Sequence, residues 1–512
     1  MGTFLPFCGA LLLLLWYWIC ARFRARESRE QARRNIILTE PPIYIPRLIR
    51  RLQYLWNGPE ILWQAHVKDA PYAILTPETY QVQFSSAAHI KQLVHAPDTH
   101  LSLHALAKDT FQFKYTADGL RVDDCMSANG TVHQRALQSE LRSHLPALRQ
   151  PLSECIAKTL TEEIAASKPL QDNWRALPIF PMAKRLVTSA NALVFFGTKL
   201  SSNPTFLKAA LEYPEHLMET AEALRLIPSW LAPFLAPYLM RGHGVLRILL
   251  DHLIPTVEHR LHDPSPKHVD CIQFLVNAVI HKHQEHQWPA QHIAQVLLGI
   301  WFASVHQPAM CLFYALDDLC LHPEYLDPLR NELSHPLTAD LNTLPFLNAF
   351  LKESARLHPT DSISLRRKVL QPFTLSDGTR LATDDIACVP LRPILQDPET
   401  YMDPLAFNPY RFVDCETGGS RSKFADADVT YPIWGLGKRA CPGRHYASLL
   451  LKMVLAEVVC RYEVRMPEGK CKRRFFYWRS AIVPRAGAVL LFRERDMGTY
   501  GVGEVKASAF LI

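Results

Sequence analysis

A glycine-rich stretch around one thiol constrains this chain more than any other feature. Residues 431–451 read Tyr-Pro-Ile-Trp-Gly-Leu-Gly-Lys-Arg-Ala-Cys-Pro-Gly-Arg-His-Tyr-Ala-Ser-Leu-Leu-Leu, which places Cys441 between three glycines and an apolar run. Gly435, Gly437 and Gly443 permit positive φ angles and close approaches that larger residues forbid, so the chain can fold around the sulfur. Because helix formers follow Gly443, we predict that a helix N-terminus comes directly after the thiol.

The charge near this helix start favours a thiolate. The positive end of a helix dipole stabilises an anion, and Lys438, Arg439 and Arg444 add positive charge close by in the sequence. We therefore expect a cysteine with a lowered pKa, which acts either as a nucleophile or as a metal ligand. A buried structural cysteine near a turn is the alternative interpretation.

The spacing of the motif resembles that of a known family. The pattern Trp434-x-x-Gly437-x-Arg439-x-Cys441-x-Gly443 resembles the haem-binding loop of the cytochrome P-450 superfamily, with Trp434 where most members carry Phe. The resemblance implies that the Cys441 thiolate is the axial ligand of a haem b iron, where it favours O–O cleavage. It also implies that Arg439 pairs with a haem propionate. The expected cofactor-binding residues of the loop are Trp434, Gly435, Gly437, Arg439, Cys441 and Gly443.

Composition indicates a globular protein and argues against disorder or nucleic-acid binding. The 512 residues are 48% hydrophobic and 21% charged, and the net charge of +7 is spread along the chain. Dense Lys/Arg runs interleaved with aromatic residues, which are typical of nucleic-acid surfaces, are missing from the sequence. The 12 cysteines form no CxxC pair, so neither a zinc site nor a disulfide scaffold is indicated. We expect one large helical domain or a tightly fused pair.

The N-terminal sequence predicts attachment to a membrane. Phe4 to Ala21 is apolar and just long enough to span a bilayer, with a cleaved signal peptide as the competing interpretation. Basic residues from Arg22 onward place the body of the chain in the cytosol by the positive-inside rule. This segment resembles the endoplasmic-reticulum anchor of eukaryotic family members. We therefore expect an anchor with a basic flank at residues 1–30, a haem-thiolate catalytic domain at 31–495 and a tail at 496–512.

The patterns of the body predict a mainly α chain with a small β region. Strand-like runs begin at Tyr72 and Tyr80, turn residues at 376–378 indicate a hairpin, and the apolar run from His292 to Leu321 predicts one long buried helix. By the resemblance, this is the cytochrome P-450 fold. That fold is a triangular helical domain that holds haem between a central helix and the cysteine loop, here with an N-terminal transmembrane helix.

The long helix resembles the central helix of the family, but its usual acid and Thr are replaced. By alignment, Ala303 and Ser304 take the positions of small residues. His306 replaces the acid, and Gln307 replaces the Thr whose hydroxyl helps to deliver protons to dioxygen. A proton relay through His306, with Gln307 or Ser304 holding a water, is one interpretation, and a hydrogen-bonded core histidine is the other. Pro308 should kink the helix, because it lacks a backbone donor and clashes with the preceding turn.

A second motif predicts a buried ion network. Glu353 and Arg356 lie three residues apart on one face of a predicted helix, where a carboxylate and a guanidinium can pair. Together with Phe407-Asn-Pro-Tyr-Arg-Phe412, this segment resembles the family network in which Arg411 completes a triad that locks the cysteine loop. We expect all three charges to be paired, because an unpaired buried charge is costly.

Other residues are assigned by the resemblance alone. His133 and Arg135 lie on the predicted helix 132–145, which binds haem propionates in the family, and Arg367, with Arg366 nearby, matches a propionate-binding arginine. A solvent-exposed position is the alternative for each of them. The Pro-broken apolar run 226–240 matches a lid that dips into lipid, with a buried core segment as the alternative. The expected substrate-facing residues are Phe302, Ile363, Ser364 and Ile482.

The resemblance implies a haem-thiolate monooxygenase that inserts one oxygen atom from O2 into an apolar substrate. A membrane-bound NADPH-dependent flavoprotein reductase would supply electrons by docking near Lys438, Arg439 and Arg444. Similarity to fungal members suggests a terpenoid or related secondary metabolite as substrate. We expect a single-pass protein of the endoplasmic reticulum with no nucleic-acid partner. Two alternatives stay open: a haem-thiolate isomerase or dehydratase that needs no reductase, and a non-catalytic haem-binding protein.

Overall fold

Helices dominate the part of the chain that the structure describes. The computed structural model describes residues 35–38, 47–121, 132–263, 268–281, 288–334, 341–468 and 473–495. The predicted membrane helix at residues 4–21 and the predicted tail from residue 496 lie outside the described residues. The prediction of a mainly α chain with a small β region is confirmed.

The α-helices of the described residues are α1 (Arg47–Gln64), α2 (Ala87–His95), α3 (Leu103–Phe111), α4 (Phe113–Thr116), α5 (Val132–Arg135), α6 (Arg142–Ala166), α7 (Ile179–Ser201), α8 (Pro204–Leu226), α9 (Ala232–Leu239), α10 (Gly244–His262), α11 (Cys271–Ile280), α12 (Ala290–Leu321), α13 (Leu326–Leu333), α14 (Pro345–Leu357), α15 (Leu391–Leu395) and α16 (Arg444–Arg461). A π-helical stretch, Ala136–Leu141, joins α5 to α6. The helix predicted at 132–145 is therefore present, but its middle is wound more loosely than an α-helix.

The strands are β1 (Ile37–Leu38), β2 (Tyr72–Leu75), β3 (Tyr80–Gln83), β4 (Leu101–Ser102), β5 (Lys168–Pro169), β6 (Arg175–Pro178), β7 (Ile363–Val369), β8 (Phe373–Thr374), β9 (Arg380–Leu381), β10 (Ile386–Pro390), β11 (Tyr462–Arg465), β12 (Phe475–Trp478), β13 (Ala481–Pro484) and β14 (Val489–Glu494). The hairpin predicted around residues 376–378 is formed by β8 and β9.

The contacts within the chain divide it into two units built from interleaved segments. The first takes the described residues of Met1–Met126, His216–Gly244 and Ile363–Pro390, and the second takes those of Ser127–Glu215, Val245–Ser362 and Leu391–Ile512. The segments alternate along the sequence, so neither unit is a continuous stretch of chain.

A six-stranded sheet organises the first unit. Its strand order is β1-β2-β3-β10-β7-β4, and β2 pairs with β3 in an antiparallel hairpin. Side chains of α1 pack on this sheet, because Tyr54, Ile61 and Leu62 form one buried cluster with Tyr72 and Ile74. Tyr72, Ala73 and Ile74 are consecutive and all buried, so both faces of β2 are covered.

Helix α12 is the core of the second unit. It packs against α7, α11, α14 and α16, and its side chains Trp301, Leu312 and Phe313 are fully buried. Among the described helices it alone is long and apolar enough to cross a membrane, but 56% of its most apolar window is buried inside the protein. The prediction of a long buried helix is confirmed. The helix stays α-helical through Pro308, so the proline does not interrupt it.

A four-stranded sheet and a hairpin complete the second unit. The sheet has the order β11-β14-β6-β5 with antiparallel pairing throughout, and β12 pairs with β13. Helix α16 leads directly into β11, so the segment that follows Cys441 is fixed at both of its ends.

Candidate active site

The loop around Cys441 is closed by hydrogen bonds between residues that are close in sequence. The Cys441 N–H donates to the carbonyl oxygen of Trp434 at 2.7 Å. Gly435 and Gly437 have left-handed backbones, with φ of +69° and +63°. A Cβ at position 435 would lie 3.4 Å from the Arg439 carbonyl oxygen, which is an ordinary contact, so the positive φ is what favours glycine there.

The side chain of Trp434 anchors this loop to an upstream segment. Its indole N–H donates to the carbonyl oxygen of Phe424 at 2.7 Å, and the two rings meet edge to face with centroids 5.3 Å apart. A phenylalanine at this position would keep the ring contact and lose the hydrogen bond. The tryptophan therefore adds one interaction that the Phe of most similar loops cannot make.

The Cys441 thiol is half-buried just before α16 begins. Its sulfur accepts hydrogen bonds from the backbone N–H groups of Gly443 and Arg444. Burial still raises the pKa of the thiol, and the hydrogen bonds together with the charge of Arg444 offset only part of this effect. The prediction of a lowered pKa is therefore wrong for the thiol alone, because desolvation outweighs the helix start.

Gly443 differs from the other two glycines of the loop. Its φ is −87°, which any residue adopts, and no heavy atom of the described residues lies within 4 Å of the position that a Cβ would take. The local backbone therefore does not require glycine here, contrary to the expectation of a positive φ. What the missing side chain provides is open space two residues from the sulfur.

The predicted Glu353 network is assembled as a buried cluster. Arg356 donates to both carboxylate oxygens of Glu353, at 2.7 and 2.8 Å, and Arg411 donates to one of them at 3.0 Å. The backbone N–H of Asn408 adds a further bond at 2.9 Å. Because Glu353 and Arg356 are fully buried, this pairing offsets the cost of removing both charges from water.

Carbonyl groups of a later segment satisfy the remaining guanidinium donors. Arg356 donates to the carbonyls of Leu395 and Pro404, each at 2.7 Å. Arg411 donates to the carbonyl of Met402 at 2.9 Å. The network therefore fastens residues 395–411 to α14, and this segment is followed by the chain that leads into the cysteine loop.

Lys352, which no sequence motif indicates, fixes the chain between that segment and the cysteine loop. Its ammonium group donates to the Ser422 hydroxyl and to the Lys423 carbonyl, and lies 4.2 Å from the centre of the Tyr431 ring. The Tyr431 hydroxyl donates back to the Lys352 carbonyl at 3.1 Å. Burial lowers the pKa of Lys352 to about 8. No sequence pattern shows this role, because its partners lie about 70 to 80 residues away.

The four residues selected on the central helix do not share one face. Ala303 and Gln307 are exposed and lie one helical turn apart. Ser304 is turned away, because its hydroxyl donates to the Trp301 carbonyl at 2.8 Å and its own carbonyl accepts from the buried Asn191 side chain. Any relay that uses Gln307 therefore starts from a different side of the helix than Ser304.

His306 lies beside an ion pair that comes from two other helices. Lys184 of α7 pairs with Glu215 of α8, and the His306 ring hydrogen-bonds the backbone of Pro214. Its Nε2 atom is buried and has no hydrogen-bond partner in the part of the chain that the structure describes. Burial, and then the charge of Lys184, lower the pKa of His306 to about 4. The ring is therefore neutral at physiological pH.

The other selected residues are distributed over both units. In the second unit, His133 is half-buried, Arg135 exposed, Phe302 buried and Arg439 half-buried. Ile482 is held through its backbone, which accepts from the Tyr314 hydroxyl at 3.0 Å and donates to Thr360 at 3.1 Å. The residues selected in the first unit, Ile363, Ser364 and Arg367, are all buried on β7.

A sequence comparison decides the family. The family model described as Cytochrome P450 matches residues 79–492, which is most of the chain. This chain belongs to the cytochrome P450 family. The assignment agrees with the order of its motifs and makes the protein a monooxygenase that uses haem iron and O2.

Similar proteins are known for this P450 in fungi. An ent-kaurene oxidase from Gibberella intermedia is 27% identical over 496 residues, covering 94% of this chain and 92% of the relative. Cytochrome P450 monooxygenase olcJ from Penicillium canescens is 29% identical over 430 residues, covering 80% and 78%. The solved structure of retinoic acid bound cyanobacterial CYP120A1 matches with a TM-score of 0.67 and 16% identity, covering 87% and 96%. This last likeness confirms the P450 fold.

The cysteine loop of this P450 fits a haem. A thiolate is a suitable ligand for iron, and the sulfur of Cys441 already accepts two backbone N–H bonds, which stabilise negative charge. The open space beside Gly443 leaves room for a flat group near that sulfur. A bound metal ion deprotonates a coordinating thiol, so the raised pKa of the free thiol does not argue against this role.

Proposed function

We propose that this P450 oxidises a terpenoid or a related apolar secondary metabolite at the endoplasmic reticulum. Electrons come from NADPH through a membrane-bound flavoprotein reductase. The observation that carries the proposal is the half-buried Cys441 at a helix start, whose sulfur accepts from the Gly443 and Arg444 N–H groups in a chain of this family. The substrate class rests on the similarity to ent-kaurene oxidases along most of the chain.

When bound, the haem iron activates O2 for the insertion of one oxygen atom. The protein groups around it have separate tasks in this proposal. Cys441 ligates the iron, and Arg439 binds a propionate. Glu353, Arg356 and Arg411 lock the segment that leads to this loop. The further propionate-binding and pocket residues proposed are His133, Arg135, Arg367, Phe302, Ile363, Ser364 and Ile482.

Apolar side chains on the surface of the first unit support contact with a membrane. Helix α9 buries Ala232 and Ala236, while Phe234 and Tyr238 are 76% and 84% exposed. Large apolar side chains are also exposed on α1 and just before α9: Ile49, Leu52, Trp56, Trp63, Leu226 and Trp230. Exposed aromatic and apolar groups of this kind favour an interface with lipid, from which an apolar substrate can enter. These exposures favour the lid interpretation of residues 226–240 over a buried core segment.

His306 is the proposed site of proton movement in this P450. Its Nε2 atom has no partner within the described residues, so the neutral ring offers one acceptor position for a water or for a proton that it holds briefly. The neighbouring Glu215 side chain is 42% exposed, which connects the group to solvent. Gln307, on the exposed face of the same helix, is the proposed holder of a water for this transfer.

The isomerase or dehydratase alternative also has an observation in its favour. The exposed face of the central helix presents Ala303 and Gln307, and neither carries the hydroxyl that monooxygenases of the family use. Such an enzyme would rearrange an already oxygenated substrate without NADPH. The dependence of product formation on reductase therefore separates the two functions.

The test uses the full chain in microsomes with an NADPH-dependent flavoprotein reductase and a panel of diterpene hydrocarbons. We expect the reduced carbon monoxide band of a thiolate-ligated haem, a Soret shift with at least one hydrocarbon, and a product that takes one oxygen atom from labelled O2. Product formed equally well without NADPH and reductase would overturn the monooxygenase proposal in favour of an isomerase or dehydratase.

A matched pair of cysteine variants tests the ligand in the same preparation. Cys441→Ala should abolish the carbon monoxide band of a thiolate-ligated haem. Cys460→Ala, which removes a half-buried thiol near the end of α16, should leave this band unchanged. A wild-type band in Cys441→Ala would refute the ligand assignment.

A further inference from the structure

Pro308 removes one hydrogen-bond donor from the middle of the central helix. In an α-helix the N–H of residue 308 would bond the carbonyl of Ser304, but proline has no N–H. The helix nevertheless continues without interruption from Ala290 to Leu321. A buried carbonyl needs a donor, so another group must take this place.

The Asn191 side chain supplies the missing donor. This residue of α7 is fully buried, and its Nδ2 atom donates to the Ser304 carbonyl oxygen at 2.7 Å. The same nitrogen lies 3.4 Å from the Ser304 hydroxyl oxygen. A side chain from a neighbouring helix therefore replaces the backbone bond that Pro308 cannot make.

Tyr446 fixes the orientation of that amide. Its hydroxyl donates to Oδ1 of Asn191 at 2.7 Å, so Oδ1 is the acceptor and Nδ2 must face Ser304. Burial raises the pKa of the Tyr446 hydroxyl well above its usual range, which keeps it a donor. Tyr446 lies in the first turn of α16, five residues after Cys441. A continuous hydrogen-bonded path thus joins the helix of the cysteine loop to the turn that carries Ala303 and Gln307.

A second proline shows the same arrangement. Pro214 lies inside α8 and removes the donor for the Ala210 carbonyl, and the indole N–H of Trp301 donates to that carbonyl at 2.9 Å. Trp301 is one helical turn before Ser304 and Val305 on the central helix. This short part of α12 is therefore tied to both α7 and α8 by side chains that replace backbone donors.

We propose that Asn191 and Tyr446 are positioning residues that set the geometry of the exposed turn Ala303–Gln307 relative to the cysteine-loop helix. Their effect on turnover rests on the monooxygenase function proposed above. We call the hydrogen bonds from Tyr446 through Asn191 to the Ser304 carbonyl the bridge. Without the bridge, the Ser304 carbonyl loses its donor and the turn at Pro308 becomes looser. The helix face that meets O2 and substrate then no longer has a fixed distance from the Cys441 loop. The chemistry then becomes less well coupled to electron supply.

The central test is a mutant cycle that uses the proline itself. The double variant Asn191→Leu/Tyr446→Phe removes the bridge without leaving the tyrosine hydroxyl unpaired. Adding Pro308→Ala restores an N–H that can bond the Ser304 carbonyl. We expect hydrogen exchange of the peptide spanning residues 301–309 to become at least about tenfold faster in the double variant and to return toward wild type in the triple variant.

A spectroscopic readout tests positioning as opposed to stability alone. With carbon monoxide as the probe on the reduced protein, the infrared stretch of the ligand should shift or broaden in the double variant and recover with Pro308→Ala. The fraction of NADPH electrons that reaches product should fall at least about threefold and recover likewise. Tyr325→Phe, which removes a hydroxyl-to-carbonyl bond to Phe407 elsewhere in the same unit, is the matched control and should change none of these readouts.

Two results would overturn the proposal. One is an exchange rate that is equal in wild type and double variant; the other is an effect that Pro308→Ala fails to reverse. Hydrogen exchange and the carbon monoxide stretch need neither substrate nor reductase. Another outcome is that these two readouts behave as expected although turnover with reductase is never observed. Such a result would refute the proposed function and support the positioning role of Asn191 and Tyr446.

Discussion

The cysteine loop and the middle of the central helix reach a fixed conformation in different ways. In the loop, the decisive partners are close in sequence: Cys441 bonds to Trp434, and its sulfur accepts from Gly443 and Arg444. In the central helix, the Ser304 carbonyl receives its donor from Asn191 of α7, and Trp301 in turn donates to the Ala210 carbonyl of α8. One region is therefore specified by a local motif and the other by packing.

This difference explains why the cysteine loop keeps the family motif while the middle of the central helix can depart from the family pattern. A loop that is closed by its own neighbours needs particular residues at fixed spacings, and those spacings identify the family. A helix that receives a donor from another helix can tolerate Pro308. The missing donor at Pro308 is thus compensated by Asn191, which Tyr446 holds in place.

The largest expected effect comes from the network of Glu353, Arg356 and Arg411, which fixes the segment that precedes the cysteine loop. Glu353→Gln removes the charge that Arg356 and Arg411 share, and leaves a fully buried guanidinium without its counter-charge. We expect the free energy of unfolding to fall by about 3–5 kcal/mol in urea titrations, with loss of haem retention.

Glu457→Gln is the control for this network. It removes an ion pair with Arg461 on a partly exposed face of α16, where the pair is worth at most about 1 kcal/mol. Equal losses in the two variants would show that the buried network has no special role and that the local loop alone fixes the site.

The pH dependence of the unfolding free energy tests whether packing isolates His306 on the central helix. Its pKa is about 4 in the folded protein against 6.5 ordinarily, because burial and Lys184 disfavour the charged ring. Between these values the unfolded chain binds more protons, so stability is lost as pH falls through this window. His306→Gln should make the fall in unfolding free energy from pH 7 to pH 4 smaller by up to about 3 kcal/mol, as measured by urea unfolding at each pH.

The exposed His262 in the same unit is the control for the substitution itself, with His262→Gln measured by the same urea titrations. Glu215 and Lys184 are kept in every variant, since they are the charged groups that face the ring. An unchanged slope in His306→Gln would mean that the ring meets solvent, and that packing does not isolate this part of the helix.

The smallest expected effect is the difference in stability between two glycine substitutions within the loop. Gly435→Ala places a side chain on a left-handed residue, 3.4 Å from the Arg439 carbonyl, and should cost about 1–2 kcal/mol of unfolding free energy. The new methyl group of Gly443→Ala meets no atom of the described residues within 4 Å, so the stability of the haem-free protein should stay near wild type. This substitution should instead weaken haem incorporation, measured by titrating haem into the apoprotein. The opposite ranking of the two variants would contradict the roles assigned to these positions.

The elements with a clear local signal were predictable. The strands at Tyr72 and Tyr80 pair as a hairpin, and the long apolar run forms helix Ala290–Leu321. Glu353 and Arg356 share a helix face, as their spacing requires. The lowered pKa expected for Cys441 was wrong, because the sequence shows the nearby charges and the helix start but not the degree of burial.

Sequence alone determined the family, the mainly helical fold and the position of the thiol in its glycine loop, because each depends on spacings of a few residues. It also shows that Pro308 deletes a donor, which is a covalent property of proline. Only the tertiary structure decided which group replaces that donor, since Asn191 lies 113 positions from Ser304 and Tyr446 lies 255 positions from Asn191. Hydrogen bonds over such separations depend on how whole helices pack, and that packing is what joins the cysteine-loop helix to the opposite turn of the central helix.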